Sequence, residues 1–146
     1  MKARDILESK GTETFSIGKD KSIHDAIVMM AAKKIGVLLV VENGGIIGIL
    51  SERDVINTCA KCSESERSDV SIASAMTKNV ICASGDDDII SLMTMMKESH
   101  IRHLPIVNGS TIEGMISMRD VVRALIEEVT FENKQLTEYI VGKYPG

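Results

Sequence analysis

The stretch GILSERDVI at residues 48–56 returns at residues 114–122 as GMISMRDVV. Both copies keep, in order, a glycine, an apolar pair, a serine, an arginine, an aspartate and a valine. A shift of 66 residues aligns 15–56 with 81–122 without a gap. A repeat of this kind indicates one supersecondary unit used twice, and a unit this short cannot bury a core alone. The sequence therefore predicts two copies that pack on each other.

Each copy shows the same order of predicted elements, β-α-β-β-α, which places the chain in the mixed α/β (α+β) class. The stretches TFSI and NVICA predict a first strand in each copy. Ser22 and Asp88 are predicted N-caps of the helices that follow. Methionines at helical spacing in these helices are interpreted as core filler rather than as a binding groove. Apolar runs on either side of Asn43-Gly44 and of Asn108-Gly109 predict two hairpins, and a second helix follows the serine of the shared stretch.

The predicted boundaries divide the chain into a first repeat over 1–66, a second repeat over 67–126 and a helical tail over 127–146. The last helix is predicted to run from Arg119 to about Val141. It carries an apolar stripe made of Val122, Leu125, Ile126, Val129, Leu136 and Ile140. Because this stripe has no evident use within one unit, it predicts a partner helix.

Charge and hydropathy exclude several classes of function. The 146 residues carry a formal net charge of −4, which argues against binding to duplex nucleic acid because that requires a basic face. No apolar run reaches the roughly 18 residues of a membrane helix. The N-terminus, MKARDILESKG, has no apolar stretch of the kind found in signal peptides. The sequence therefore predicts a cytoplasmic protein that does not insert into a membrane.

The sequence contains no motif of a known catalytic centre: GxSxG, a P-loop and HExxH are all absent. Cys59 and Cys62 form a CxxC pair. The pair fits either ordinary helix and linker residues or a redox or metal site, although a zinc site would need about four ligands and no second pair is present. We expect no catalytic residues and no metal site.

The serine and aspartate of the shared stretch have a structural interpretation from the residues alone. A serine followed three positions later by an acidic residue, just before a helix, is typical of a capping box. Ser51 with Asp54, and Ser117 with Asp120, both fit this spacing. Duplication does not weaken the interpretation, since a duplicated cap is still a cap.

Three marks occur in order: ASAMT before NV, the strand RHLPIV, and the pattern glycine, two apolar residues, Ser-x-x-Asp in both copies. Together they resemble the tandem CBS domain, the cystathionine β-synthase-type regulatory module, over nearly the whole chain. The resemblance implies two β-α-β-β-α units related by a pseudo-twofold axis, with two clefts between them. It implies that these clefts hold adenosine-containing ligands such as AMP, ADP, ATP, S-adenosylmethionine or NAD(H), with no required cofactor.

The same resemblance assigns ligand contacts to both copies of the shared stretch. It implies that the aspartates accept hydrogen bonds from ribose hydroxyls, that the serines meet a phosphate at a helix N-terminus, and that the glycines let backbone approach the ligand. With the arginines of the stretch, the candidates are Gly48, Ser51, Arg53 and Asp54 in copy one, and Gly114, Ser117, Arg119 and Asp120 in copy two. The capping interpretation stays open beside this one, because one serine can cap a helix and contact a phosphate.

Copy two carries additional basic residues in SHIRHLPIV, namely His100, Arg102 and His103. The resemblance implies that such residues reach the phosphates of the ligand. The alternative is that they only end a helix and begin a strand. The matching positions in copy one hold Lys34, Gly36 and Val37. We therefore expect unequal sites, with the Asp120 site the tighter for a phosphorylated ligand.

These observations favour a ligand-sensing regulatory protein that passes on energy or redox state through assembly or through an unidentified partner protein. A symmetric homodimer, or an assembly built from such dimers, is expected, because twofold pairing is the commonest soluble assembly. The alternative is a structural dimerisation module whose clefts no longer bind. A nucleotide hydrolase is the third hypothesis, and the absence of a catalytic constellation argues against it.

Overall fold

The computed structural model describes residues 1–141. Copy one and the linker contribute α1 (Ala3–Lys10), β1 (Ser16–Ile17), α2 (Ile23–Lys33), β2 (Val37–Glu42), β3 (Gly45–Ser51), α3 (Glu52–Cys59) and a short 3₁₀ turn (Glu64–Glu66). Copy two contributes α4 (Ile72–Ala75), α5 (Ile89–Ser99), β4 (His103–Asn108), β5 (Thr111–Ser117) and α6 (Met118–Ile140). The mixed α+β class expected from the sequence is confirmed.

The described residues form two compact units whose boundaries cross those of the repeat. The copy-two unit joins Met1–Thr12 to Ala83–Ile106 and to the described residues from Gly114 onward. The copy-one unit consists of Glu13–Cys82 and Val107–Glu113. The first helix of each copy is thus exchanged: α1 buries its apolar face in the core of copy two, and α4 does so in the core of copy one.

The copy-one unit contains a three-stranded sheet in the order β1-β2-β3. β1 runs parallel to β2, with Ile17 opposite Val40, and β2 runs antiparallel to β3. Asn43 and Gly44 both take positive φ, 52° and 80°, which is the conformation that a two-residue hairpin turn requires. The hairpin predicted from Asn43-Gly44 is confirmed. The fully buried side chains of this unit include Ile23, Leu38, Val40, Leu50 and Ile72.

In copy two, β4 and β5 form a two-stranded sheet, which confirms the second hairpin. The strand predicted over NVICA is reduced to one parallel bridge, between Ala83 and Ile106. The reason is Pro105: at the matching position of copy one, the Leu39 N–H donates to the Phe15 carbonyl oxygen at 3.0 Å. A proline has no N–H, so the ladder cannot extend.

The predicted helix caps are confirmed. The Ser22 side chain accepts a hydrogen bond from the Asp25 N–H at 3.1 Å, and the Asp88 side chain accepts one from the Ser91 N–H at 2.8 Å. Met30 and Met96, at matching positions of α2 and α5, are buried in their own cores. Their burial agrees with the interpretation of these methionines as core filler.

The long C-terminal helix predicted from the sequence is α6, which spans Met118–Ile140. Only its first turns are anchored, since Val121 and Ala124 are its buried residues. Other apolar side chains of α6 lie exposed, namely Val122, Ile126, Val129, Phe131, Leu136, Tyr139 and Ile140. The rest of the predicted tail, residues 142–146, lies outside the described part of the chain.

We expect Gly114→Ala to destabilise the protein. An alanine Cβ there would lie 2.6 Å from Cδ2 of Leu7 and 3.1 Å from its Cδ1, and Leu7 is itself buried. Overpacking of this kind costs roughly 1–3 kcal/mol, so the melting temperature should fall by roughly 2–12 °C. Gly18→Ala is the matched control, because its added Cβ meets only Lys21 Cγ at 4.0 Å. Equal melting temperatures for the two variants would contradict the packing described for α1.

Candidate ligand-binding site

Both copies of the shared stretch form capping boxes. In copy one, the Ser51 N–H donates to Asp54 Oδ2 at 3.0 Å and the Asp54 N–H donates to Ser51 Oγ at 3.2 Å. In copy two, the corresponding distances between Ser117 and Asp120 are 2.8 and 3.2 Å. The capping interpretation is confirmed for both. The same bonds fix each carboxylate at the N-terminus of a helix, α3 or α6, where the backbone dipole favours a negative group.

Asp54 lies beside a cavity within the copy-one unit. Both carboxylate oxygens are 3.4 Å from the Thr77 hydroxyl. Thr77 is held there by backbone pairing with Ile49, at 2.9 and 3.0 Å. The cavity has a volume of about 470 Å³ and is lined by Asp54, Asn57, Thr58, Lys61, Cys62, Glu66, Val70, Ser74 and Ala75. A volume of this order is typical of sites for small organic ligands.

Asp120 has a cation as its neighbour. Lys10 Nζ, at the end of α1, donates to Asp120 Oδ2 at 2.7 Å and to the Met115 carbonyl oxygen at 2.8 Å. The Asp120 side chain is only 11% exposed and that of Lys10 is 31% exposed. Burial by itself would raise the pKa of Asp120, but the hydrogen bonds from Lys10 and Ser117 outweigh it and lower the pKa. The adjoining cavity between α1 and α6 measures only about 70 Å³.

The two glycines of the shared stretch make room for side chains of the exchanged helices. A Cβ on Gly48 would collide with the Met76 side chain, and a Cβ on Gly114 would collide with that of Leu7. Leu7 and Met76 therefore hold equivalent places in the two units. This packing accounts for the repeated glycine, and a role of Gly48 and Gly114 in ligand binding stays a prediction.

The basic residues of copy two, His100, Arg102 and His103, lie between the end of α5 and the start of β4. His100 is the C-cap of α5 with a left-handed φ of 54°, as Lys34 is for α2 with a φ of 56°. The Arg102 carbonyl oxygen accepts the Met118 N–H at 2.8 Å, which ties this segment to the first residue of α6. His103 begins β4 and is partly buried, whereas His100 and Arg102 are exposed. Arg53 and Arg119 also lie exposed, in the first turns of α3 and α6.

Two residues with direct contacts to the motif aspartates escaped the sequence interpretation, namely Lys10 and Thr77. In the sequence, RDIL at residues 4–7 partially matches SAM at residues 74–76, and this match points to the two exchanged helices. Lys10 ends the first of these helices and Thr77 follows the second. That match does not reveal the different lengths of α1 and α4, and these lengths decide which side chain reaches each aspartate. Contacts of this kind require the tertiary structure.

Cys59 and Cys62 are free thiols. Among residues 1–141, no group of three His, Cys, Asp or Glu side chains is arranged to hold a metal ion. No helix within the same residues has the length and apolar character needed to cross a membrane.

The model of the CBS domain matches the chain twice, over residues 3–61 and 68–127. The chain belongs to the CBS domain family. This CBS protein is 30% identical over 149 residues to the CBS domain-containing protein CBSX3, mitochondrial, of Arabidopsis thaliana, covering 96% of this chain and 72% of that one. The tandem resemblance seen in the sequence is thereby confirmed.

Solved structures show the same fold. The CBS-domain containing protein ATU1752 from Agrobacterium tumefaciens is similar with a TM-score of 0.80 and 33% identity, covering 85% of this chain and 98% of that one. The CBS domain pair of protein MJ0100, solved in complex with 5-methylthioadenosine and S-adenosyl-L-methionine, has a TM-score of 0.71 and 22% identity, covering 88% of this chain and 98% of that one. The second similarity concerns the fold alone.

Proposed function

We propose that this CBS-domain protein is a ligand-sensing regulatory module that binds adenosine-containing nucleotides, AMP, ADP, ATP or NAD(H), at Asp54 and Asp120. The observation that carries the proposal is the position of Asp54. Its carboxylate lies at the N-terminus of α3 and borders a cavity of about 470 Å³. The adenosine compounds bound by the MJ0100 pair support the ligand class.

The chemistry of the proposed site follows from the groups present. An ionised aspartate offers two acceptor oxygens, which suits the two hydroxyls of a ribose. At Asp120, the Lys10 ammonium and the Ser117 N–H both donate to Oδ2, so a first ribose hydroxyl would donate to Oδ1. Ser51 and Ser117 would place a hydroxyl at the helix N-terminus beside a phosphate. Arg102, His103 and His100, with Arg53 and Arg119, would supply positive charge in the proposed complexes.

The proposed output is a change in assembly or in the binding of an unidentified partner protein. The chain would then act without chemistry of its own, and the cytoplasmic location expected from the sequence stays a prediction. A structural dimerisation module is the second candidate. Its supporting observation is that the capping boxes by themselves account for the serine and aspartate of each shared stretch.

We infer a symmetric homodimer that pairs α6 with α6 of a second copy. Exposed apolar residues recur along α6 at alternating intervals of four and three residues: Val122, Ile126, Val129, Leu136 and Ile140. Asn133 occupies the one position of this series that is not apolar. This spacing is the heptad pattern of a coiled coil, and a single Asn within such a seam fixes register. The outer half of α6 has only exposed residues apart from the partly buried Glu138, and an isolated helix of that length is marginal in water.

Thermal unfolding with and without ligand tests the proposed function. A ligand at 100 times its dissociation constant should add about 2.7 kcal/mol to the free energy of unfolding. For a chain of this size the melting temperature should rise by roughly 5–11 °C. AMP, ATP and NADH should be compared with GMP at equal concentration. The absence of a shift with every adenosine compound would favour the structural module, and turnover of a ligand would favour an enzyme.

We expect His103→Gln to reduce the pH dependence of AMP binding. Histidine is protonated toward pH 6 and neutral toward pH 8, and only the protonated ring attracts a phosphate. The second ionisation of AMP, near pH 6, works in the opposite direction, so the difference between wild type and His103→Gln is the informative quantity. Calorimetry at pH 6 and 8 should show that the wild-type protein gains more affinity for AMP between pH 8 and pH 6 than His103→Gln does.

Arg102→Lys is the companion variant. It keeps the positive charge and loses the two-pronged contact with phosphate, so its weaker binding should persist at both pH values. If both variants bind AMP as the wild type does, the SHIRHLP segment only ends α5 and begins β4.

A further inference from the structure

The two motif aspartates have different neighbours. Asp54 meets a neutral hydroxyl, that of Thr77, at 3.4 Å. Asp120 meets the ammonium group of Lys10 at 2.7 Å. Both capping boxes contain the same pair of reciprocal backbone bonds, and in copy one the Ser51 hydroxyl also donates to Asp54 Oδ2 at 3.1 Å. The larger difference comes from the exchanged helices, because Lys10 ends α1 and Thr77 follows α4.

The lengths of these helices explain the difference. α4 ends at Ala75, and the extended chain beyond it lets the Thr77 backbone pair with Ile49 on β3. α1 continues for three residues past Leu7, the counterpart of Met76, and ends at Lys10. Met115 matches Ile49 in the repeat, and its carbonyl oxygen accepts from Lys10 Nζ at 2.8 Å. Lys10 thus takes the place that the Thr77 backbone and hydroxyl hold in copy one.

We propose that Lys10 makes the Asp120 site selective for adenosine ligands that carry a phosphate, whereas the Asp54 site also accepts adenosine itself. The proposal rests on the proposed function and adds a specificity-determining residue to it. It also gives the two copies of the repeat distinct roles, since one site would respond to the nucleoside part of a ligand and the other to its charge.

The charge of Lys10 is the physical basis of this selectivity. A neutral diol at Asp120 would compete with the ammonium group for a carboxylate that is only 11% exposed. Breaking such a partly buried pair leaves a desolvated charge without a counter-charge, which is costly. A phosphate carries about −1.5 to −2 charges near neutral pH and would give the displaced ammonium a new partner, since lysine binds phosphate as a point charge.

The cavity volumes beside the two aspartates also support this difference in selectivity. The cavity next to Asp54 measures about 470 Å³, whereas the one that Lys10 and Asp120 share is about 70 Å³. Pockets for small ligands usually measure about 300–1,000 Å³. The cavity beside Asp120 is thus smaller than this range, and movement of the Lys10 side chain away from Asp120 would enlarge it.

Calorimetric titrations with adenosine and with AMP test the proposal, each done on Asp54→Ala to isolate the Asp120 site. In that background AMP should bind at least tenfold more tightly than adenosine, because a charge-assisted hydrogen bond is typically worth about that factor. Adding Lys10→Met should reduce the preference for AMP at least tenfold, mainly by tightening adenosine. Adding Lys10→Arg should retain the preference.

Lys19→Met is the matched control, since Lys19 pairs with Glu42 at 2.8 Å on the surface of the copy-one unit. It should leave the AMP preference unchanged. Folding of each variant is checked by its melting curve, and loss of the Lys10 contact is checked by NMR of the Asp120 carboxyl, whose pKa should rise in Lys10→Met.

The outcomes separate the selectivity from the proposed function. If wild-type protein binds neither adenosine nor AMP, the proposed function fails and the selectivity fails with it. If wild type binds but Asp54→Ala binds neither ligand, with or without Lys10→Met, the selectivity proposal is overturned while the function stands at Asp54. An unchanged AMP preference in Lys10→Met also overturns it.

Discussion

The double variant Asp54→Ala/Asp120→Ala should lose detectable binding of AMP. Each carboxylate that accepts ribose hydroxyls contributes roughly 1.5–3 kcal/mol as a charged acceptor, which is about a 10- to 150-fold loss of affinity per site. For AMP, Asp120→Ala should cost more than Asp54→Ala, because Arg102, His103 and Lys10 belong to the same unit as Asp120. Titration calorimetry on the single and double variants measures both effects.

The control for this prediction is another capping box in the same chain. Ser22 and Asp25 make the same reciprocal bonds at the start of α2, with the Ser22 N–H donating to Asp25 at 3.0 Å, and they belong to no shared stretch. Asp25→Ala should lower the melting temperature by an amount typical of a lost cap, about 0.5–2 kcal/mol of unfolding free energy. Its affinity for AMP should stay that of the wild type. If Asp54→Ala and Asp120→Ala behave in the same way as Asp25→Ala, the shared stretches are caps and nothing more.

The variant Ile126→Glu/Leu136→Glu should convert the proposed dimer into a monomer. These side chains are 60% and 58% exposed within one chain and would face their counterparts in a paired α6. Burying an aliphatic side chain contributes roughly 1.5–3 kcal/mol, so losing four across a twofold interface removes an amount comparable with the roughly 8 kcal/mol of a micromolar complex. Light scattering at micromolar protein, with and without AMP, gives the mass.

Gln135→Glu is the control, because it adds a charge at an exposed position of α6 outside the apolar series. It should leave the mass of the wild type unchanged. A wild-type protein that is monomeric under both conditions would contradict pairing through α6. A dimer that survives Ile126→Glu/Leu136→Glu would place the interface elsewhere.

Much of the fold follows from local sequence signals. Serine or aspartate caps start α2, α3, α5 and α6, and the Asn-Gly turn between β2 and β3 has the positive φ values that it predicts. These features depend on a few neighbouring residues, so a sequence alone reveals them. The repeat then transfers each prediction from one copy to the other.

The differences between the copies were less accessible from the sequence. Pro105 stands where Leu39 donates a backbone hydrogen bond, and it reduces the first strand of copy two to the single bridge at Ala83. This consequence follows from the sequence only once the parallel register is known. Repeat alignment alone does not reveal it.

The candidate site shows the same limit. The aspartates and serines were found by their spacing, and the structure confirms their capping role. Lys10 reaches Asp120 across 110 positions of sequence, through a helix that packs with the other copy. Long-range contacts of this kind depend on helix length and packing rather than on local pattern.

The most direct test of ligand binding at the two aspartates is a crystal structure of this protein with AMP. We predict that the ribose hydroxyl oxygens lie within about 3.2 Å of a carboxylate oxygen of Asp54 or Asp120, with the phosphate toward the N-terminus of α3 or α6. At Asp120 we also predict that Lys10 Nζ has left Oδ2. AMP bound away from both aspartates, or absent from crystals soaked at a saturating concentration, would contradict the proposed function.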